Sequence, residues 1–265
     1  MSDGSTSGYA PVNGVDVYWE SRGRGGTPLI VVHGGFGLAS LFGELLDRLA
    51  AHRRVVAVEL QGHGHTRDID RPFSFAEFGR QIIGVADHLG FEQVDLLGYS
   101  LGAMGCLHSA FQDPDRVRRL ALVSIPCRRD GWFPEVLAGM ARVNRSQFEQ
   151  MSQSSMYAAW LAVAPDPTAF PSLMDKTGAL VSQSYDWTDE VSRLTCPTLL
   201  VYGDADSIPP AHAAEFYALL GGGLRDADWD GSGATAMHLA ILPGLTHYNV
   251  FAAPVTAKVV DDFLS

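Results

Sequence analysis

Apolar positions along the chain fall into two alternating patterns. Short, largely apolar runs of four to six residues, Leu29–Val32, Val55–Leu60, Val94–Leu97, Leu120–Ser124, Thr198–Tyr202 and Leu239–Leu242, read as strands, and the continuous Leu29–Val32 suits one buried on both faces. Between them lie stretches with helical spacing: Leu41–Leu49, Phe75–Leu89 closed by Gly90, Ala103–Phe111 halted at Asp113-Pro114, Ala211–Leu220 and Val255–Phe263. Two shorter strands, Tyr9–Val12 and Val15–Glu20, flank Asn13-Gly14, a hairpin signal. Strand-helix alternation of this kind predicts an α/β fold, a mostly parallel central sheet with helices on both faces, whose ligands bind at the carboxyl ends of the strands.

Two segments break the rhythm. Residues 128–194 hold no clear strand, yet carry Trp132, Met156, Trp160 and Trp187, too much large apolar surface for a linker. They read as a helical insertion. Residues 221–235 contain three consecutive glycines and Trp229 and read as a loop. The first eight residues read as a disordered tail.

The net charge of −11 argues against a nucleic-acid partner, because phosphate binding needs a basic face. Arg116, Arg118, Arg119, Arg128 and Arg129 read as a solvated helix end and a loop. Three widely spaced cysteines imply buried thiols rather than a disulfide framework. With no secretory pattern at the start and no membrane-length apolar run, the expectation is a cytoplasmic protein with no membrane partner.

The candidate chemistry starts at Gly98-Tyr99-Ser100-Leu101-Gly102, between a strand and a helix. A serine on such a turn has its hydroxyl in the open and needs small neighbours, which Gly98 and Gly102 provide. The hydroxyl becomes nucleophilic only when a base takes its proton and a third group fixes the base. His247 follows the last strand and Asp204 and Asp206 follow the strand before it, so either aspartate can orient the histidine.

Serine, acid and histidine in this chain order resemble the α/β-hydrolase superfamily. Gly98–Gly102 is similar to its nucleophile elbow and His33-Gly34-Gly35-Phe36-Gly37 to its oxyanion loop. Gly62-His63-Gly64 is similar to the turn after the next strand, Gly203-x-x-Asp206 to the acid motif and Pro243-Gly244-x-x-His247 to the histidine loop. The resemblance implies a catalytic set of Ser100, Asp206 and His247. It favours Asp206 over Asp204, with Asp130, beyond Leu120–Ser124, as an alternative acid. It places the oxyanion donors at the Leu101 and Gly35 N–H groups, with Phe36 as the neighbouring possibility for the second. It divides the chain into a tail (1–8), a core (9–127 and 195–265) and a cap (128–194). Phe36, Tyr99, Trp132, Met156 and Trp160 are the candidates for a pocket wall.

One departure stands out: Glu59-Leu60-Gln61 occupies the place where many members carry Asp-x-Arg, which changes a structural contact rather than the chemistry. His33, His63 and His65 share this sheet edge, but their spacing is not that of a metal site, so neither metal nor cofactor is expected. His33 is expected to brace the oxyanion loop. The implied activity is hydrolysis of a small-molecule ester or lactone through an acyl-enzyme on Ser100. Carbon–carbon bond hydrolysis, perhydrolysis (cofactor-free haloperoxidase chemistry) and thioester hydrolysis share the same constellation. The non-enzymatic alternative is a ligand-binding receptor that keeps the fold. Oligomeric state is left open by the sequence.

Overall fold

A computed structural model of the chain describes residues 5–265. Eight strands form one sheet among the described residues: β1 (Thr6–Val12), β2 (Val15–Arg22), β3 (Leu29–Val32), β4 (Val55–Glu59), β5 (Val94–Tyr99), β6 (Val117–Val123), β7 (Thr198–Ala205) and β8 (Met237–Thr246). Their spatial order is β1-β2-β4-β3-β5-β6-β7-β8. Only the pairings of β2 with β1 and β4 are antiparallel. The chain leaves β3 towards β4 on one side and then crosses to β5 on the other. This reversal is where open parallel sheets place their ligand crevice.

The continuous apolar runs are explained by burial on both faces: every residue of β3 and β4 is buried. On one face α1 (Glu44–Ala50) and α10 (Pro254–Leu264) pack over Leu29, Val31, Ala57 and Val201. On the other, α2 (Phe75–His88) and α3 (Leu101–Gln112) cover Ile30, Val32, Leu96 and Leu122. α2 opens on a capping bond in which the Ser74 hydroxyl accepts from Glu77 N at 3.1 Å.

The insertion is helical: α4 (Pro134–Met140), α5 (Phe148–Met151), α6 (Ser155–Leu161), α7 (Phe170–Val181) and α8 (Thr188–Val191). Its two ends meet where Arg128 bridges Asp186 and Trp187 N donates to Cys127 O at 2.9 Å. The chain therefore leaves and rejoins the sheet at one root. α9 (Pro210–Leu219) follows β7.

Three expectations need correction. Residues 6–8 are not tail but the start of β1, where Gly8 pairs with Trp19; residues 1–4 of that tail lie outside the described residues. β8 extends well beyond Leu239–Leu242, through Pro243-Gly244 to Thr246. As an edge strand it is half exposed, so its apolar pattern is diluted, and an edge tolerates a proline that an inner strand would not. The arginines at 116–119 are not simply solvated. Arg118, on β6, donates from Nε to Oδ1 of fully buried Asp95 at 2.8 Å, with its second guanidinium nitrogen on Oδ2, and Arg116 caps the carbonyls of Phe91 and Glu92. No helix among the described residues is long and apolar enough to cross a membrane.

Candidate active site

Ser100 is the first residue past β5, near the middle of the sheet, and the next residue opens α3. Its backbone lies at φ 50°, ψ −120°, a pose a side-chain-bearing residue rarely adopts. Two glycines make this turn possible. A Cβ on Gly98 would come within 2.3 Å of Ala103 Cα, and one on Gly102 within 2.3 Å of His33 O. The elbow is thus wedged between β3 and α3, and Ser100 N is tied to Val123 O at 2.9 Å.

β7 and β8 end on the same edge. Ser100 Oγ lies 3.2 Å from His247 Nε2, and His247 Nδ1 lies 3.1 Å from Asp206 Oδ1. A carboxylate only accepts, so Nδ1 carries the ring proton and Nε2 is left to accept from the serine. Asp206 is buried and held by three further donors: Ser207 N at 2.7 Å, Gly203 N at 3.1 Å and the Ser124 hydroxyl. Ser124 directly follows β6, between the strands that lead to Ser100 and Asp206, and itself has φ 57°. Tyr99 secures the histidine loop, donating to His247 O at 2.8 Å while stacking on Phe251. Burial raises the Tyr99 phenol above its ordinary range, so it stays a donor. Trp132 meets the His247 ring edge-on, with centroids 5.5 Å apart.

The other acidic candidates are placed elsewhere. Asp204 is exposed and accepts from Gly244 N at 2.8 Å, bracing the histidine loop. Asp130 is exposed and paired with Arg128.

Behind the 33–37 loop, His33 donates from Nδ1 to Gly34 O at 2.7 Å and accepts from Leu60 N at Nε2. Burial lowers its pKa and keeps it neutral. Glu59, 1 % exposed, accepts from Ala39 N at 3.0 Å and from both the backbone and the ring of His65. Burial pushes the Glu59 carboxyl up, but those bonds, led by His65, outweigh it and hold the carboxylate below its ordinary range. The buried carboxylate therefore ties the start of residues 39–42 to the turn at His65. Gln61 bonds Asp68, Ile69 and Arg71, closing the following turn.

Within the loop, packing against the protein demands a glycine at 34 rather than at 35. A Cβ on Gly34 would lie 2.8 Å from the Tyr99 ring, whereas one on Gly35 meets nothing nearer than 3.8 Å. Phe36, not Gly35, takes the left-handed backbone, at φ 59°.

Ser100, Gly35, Phe36 and His247 open onto one cavity of about 460 Å³, also lined by Tyr99, Leu101, Trp132 and Met156. Trp160 does not line it. That ring is 2 % exposed and donates to Gly62 O at 3.1 Å, beside a separate depression, so it packs the insertion onto the core. Helical spacing could not separate the two roles, because both faces of α6 are apolar. The sequence also missed Met140, Val143, Thr177, Val181 and Tyr185 on the insertion, and Ser124 beneath Asp206. The hydrogen bond that singles out Ser124 spans 82 positions and leaves no local signature.

A second nucleophile-like line lies away from this cavity. Cys127 Sγ is 3.7 Å from His212 Nε2, and His212 Nδ1 is 3.3 Å from Glu215. The imidazole is already spent on Cys127 N–H, and burial pushes the thiol up to about 12, so no thiolate forms.

The sequence matches the family described as alpha/beta hydrolase fold over residues 27–153. A pimeloyl-[acyl-carrier protein] methyl ester esterase of Yersinia pseudotuberculosis is 30% identical over 257 residues, covering 89% of this chain and 94% of the relative. One from Pectobacterium carotovorum is 28% identical over 264 residues, 91% of this chain and 97% of the relative. Among solved structures, a thermophilic esterase from Thermogutta terrifontis superposes with TM-score 0.72 at 18% identity, over 98% of this chain and 97% of that one. The enol-lactonase of Burkholderia xenovorans LB400 gives 0.71 at 21%, over 97% and 99%.

Proposed function

The chain belongs to the alpha/beta hydrolase fold family and is a carboxylic ester hydrolase, and from that premise we propose that it cleaves a small-molecule ester or lactone through an acyl-enzyme on Ser100. The single observation that supports this most is the hydrogen-bonded line from Ser100 Oγ to His247 Nε2 and from Nδ1 to Asp206 at the mouth of an apolar cavity. In this reading Ser100 Oγ attacks the carbonyl carbon as its proton passes to His247 Nε2. Asp206 keeps the ring in the required tautomer and stabilises the imidazolium. The N–H groups of Leu101 and of Gly35, or of Phe36 beside it, hold the developing oxyanion. Leu101 is well suited, since the first amides of a helix have no partner within it. His247 then protonates the leaving alkoxide, and a water activated by the same nitrogen releases the acid.

Residues 128–194 act as the cap over a core of 6–127 and 195–265. Met140, Val143, Met156 and Val181 would seat the hydrocarbon part of the substrate. The named relatives act on a methyl ester, which favours ester over carbon–carbon cleavage here as well.

The test is turnover of p-nitrophenyl esters, lactones and thioesters by the wild-type protein and by Ser100→Ala. The variant should lose about 10⁴-fold or more in kcat, as removal of a triad nucleophile does elsewhere. A fluorophosphonate should add its mass to Ser100. Ser100→Ala turning over esters at the wild-type rate, or tight ligand binding without labelling, overturns the reading.

A further inference from the structure

The His247 ring is held by two hydrogen bonds, 3.2 Å to Ser100 Oγ and 3.1 Å to Asp206 Oδ1. Both are long beside the roughly 2.7–2.9 Å of a tight charge-assisted bond. An imidazole on such bonds keeps some freedom to turn, so the groups packed on it decide how well Nε2 is aimed. Among the described residues three aromatic rings meet it: Tyr99 at 5.4 Å, Tyr248 at 5.5 Å and Trp132 at 5.5 Å between centroids. Tyr99 and Tyr248 belong to the core, and Tyr248 is 76 % exposed, so its ring confines little. Trp132 is 4 % exposed and is carried by the insertion.

Trp132 is itself locked. Its Nε1 donates to Tyr185 Oη at 2.8 Å. Tyr185 in turn stacks on Trp187, with centroids 4.3 Å apart, and meets Phe75 of α2 edge-on. The segments bearing Trp132 and Tyr185 are joined at the root of the insertion, where Arg129 N donates to Tyr185 O at 2.9 Å. The same root is laced to the loop that bears Asp206. Phe133 N donates to Ser207 O at 3.2 Å, and Ser207 N holds the Asp206 carboxylate. Cys127 N donates to His212 Nε2 at 3.2 Å, and a Cβ on Gly131 would collide with the same imidazole. The Cys127–His212 line, which forms no thiolate, is thus part of this lacing. One packed unit carries the acid, and the indole set against the ring that the acid orients.

We propose that Trp132, fixed by Tyr185, is a positioning residue: through it the insertion holds the His247 ring in line with Ser100 Oγ and Asp206. This deepens the acyl-enzyme reading and rests on it. The insertion is then more than a pocket wall, and the chemistry depends on it whatever the size of the ester. Trp132 also lines the cavity, and the two roles leave different marks. A wall residue discriminates between substrates. A residue that aims the base lowers turnover of every ester by the same factor and leaves KM in place.

The experiment measures kcat and KM for p-nitrophenyl acetate and p-nitrophenyl hexanoate, and the rate at which a small fluorophosphonate labels Ser100. The proteins are wild type, Trp132→Leu, Trp132→Phe and Tyr185→Phe. Trp132→Leu should lower kcat about tenfold on both esters, with KM within about threefold. Labelling should slow by the same factor, because it draws on the same base. Trp132→Phe, which still sets a ring against His247, should recover most of the loss. Tyr185→Phe keeps the cavity wall and removes the acceptor for Trp132 Nε1, so kcat should fall about threefold with KM unmoved. A loss carried by KM, a loss that differs between acetate and hexanoate, or wild-type labelling in Trp132→Leu overturns the proposal. If Trp132→Leu does not fold, Tyr185→Phe still decides, and wild-type kcat there overturns the proposal as well. Ser100→Ala run alongside separates the two levels. If it is inactive while Trp132→Leu keeps wild-type kcat, only the role of Trp132 falls; if it turns over esters at the wild-type rate, the acyl-enzyme reading falls.

Discussion

Asp206 shows how much of the site is built by residues that touch no substrate. Its two carboxylate oxygens take four donors, one from the His247 ring and three from Ser124, Gly203 and Ser207. Ser124 supplies one of these from a strained backbone, and its only role in the geometry is to aim the carboxylate. Ser124→Ala should therefore lower kcat about tenfold, the scale of a hydrogen bond to a charged group, with KM nearly unchanged. A variant whose KM rises while kcat holds would show instead that Ser124 shapes the pocket. The paired serine and aspartate were each visible as residues, but their contact was not, because nothing in β6 marks the residue after it as meeting the loop beyond β7.

At the scale of elements, the elbow depends on α3 approaching β3 without a side chain between them. Gly102→Ala would drive a Cβ into the carbonyls of Val32 and His33, at 2.6 and 2.3 Å. Overpacking of this kind costs about 1–3 kcal/mol. In a chain of this size that is roughly 2–4 °C of Tm per kcal/mol, so a melt should fall by several degrees. Activity should fall further than stability, because Ser100 and the His33 loop are displaced together; an unchanged Tm would show that β3 and α3 can part freely. The Gly-x-Ser-x-Gly spacing pointed to this element only together with the strand before it, the helix after it and the acid and histidine motifs further on. The helices of the insertion were legible as a helical segment and no more, since an apolar face reads the same whether it meets a cavity or a core. Trp160 and Thr177 show the two outcomes.

For the whole molecule, acid should be the weak side. Burial holds His63 down to about 3 and His108 to about 4, and lowers His33, against an ordinary value of 6.5. Below pH 6.5 the unfolded chain takes up protons that the folded chain refuses until about pH 3–4. Stability is thus fully present above 6.5 and declines as pH falls through that window. His65 works the other way: its bond to Glu59 raises it, so its contribution is present in acid and fades as pH rises through the raised value. Burial lowers His212 as well, so four imidazoles oppose one, and the urea midpoint should be lower at pH 5 than at pH 7.5. His63→Asn, which retains a donor for Gln61 O, should flatten that slope, and an unaltered slope would remove His63 from the account.

The sequence by itself determined the order of strands and helices, the existence of the insertion, and the serine, acid and histidine at three strand ends. Those features are local: apolar periodicity and turn chemistry are written in neighbouring residues. Only the tertiary structure decided that β8 runs on through Pro243, that Asp206 rather than Asp204 meets His247, and that Glu59 ties Ala39 to the turn at His65. It alone assigned Trp160 to packing and set Thr177 in the cavity wall. Each of these is a contact between residues far apart in the chain, set by how buried layers fit together, and spacing along the sequence does not carry that information.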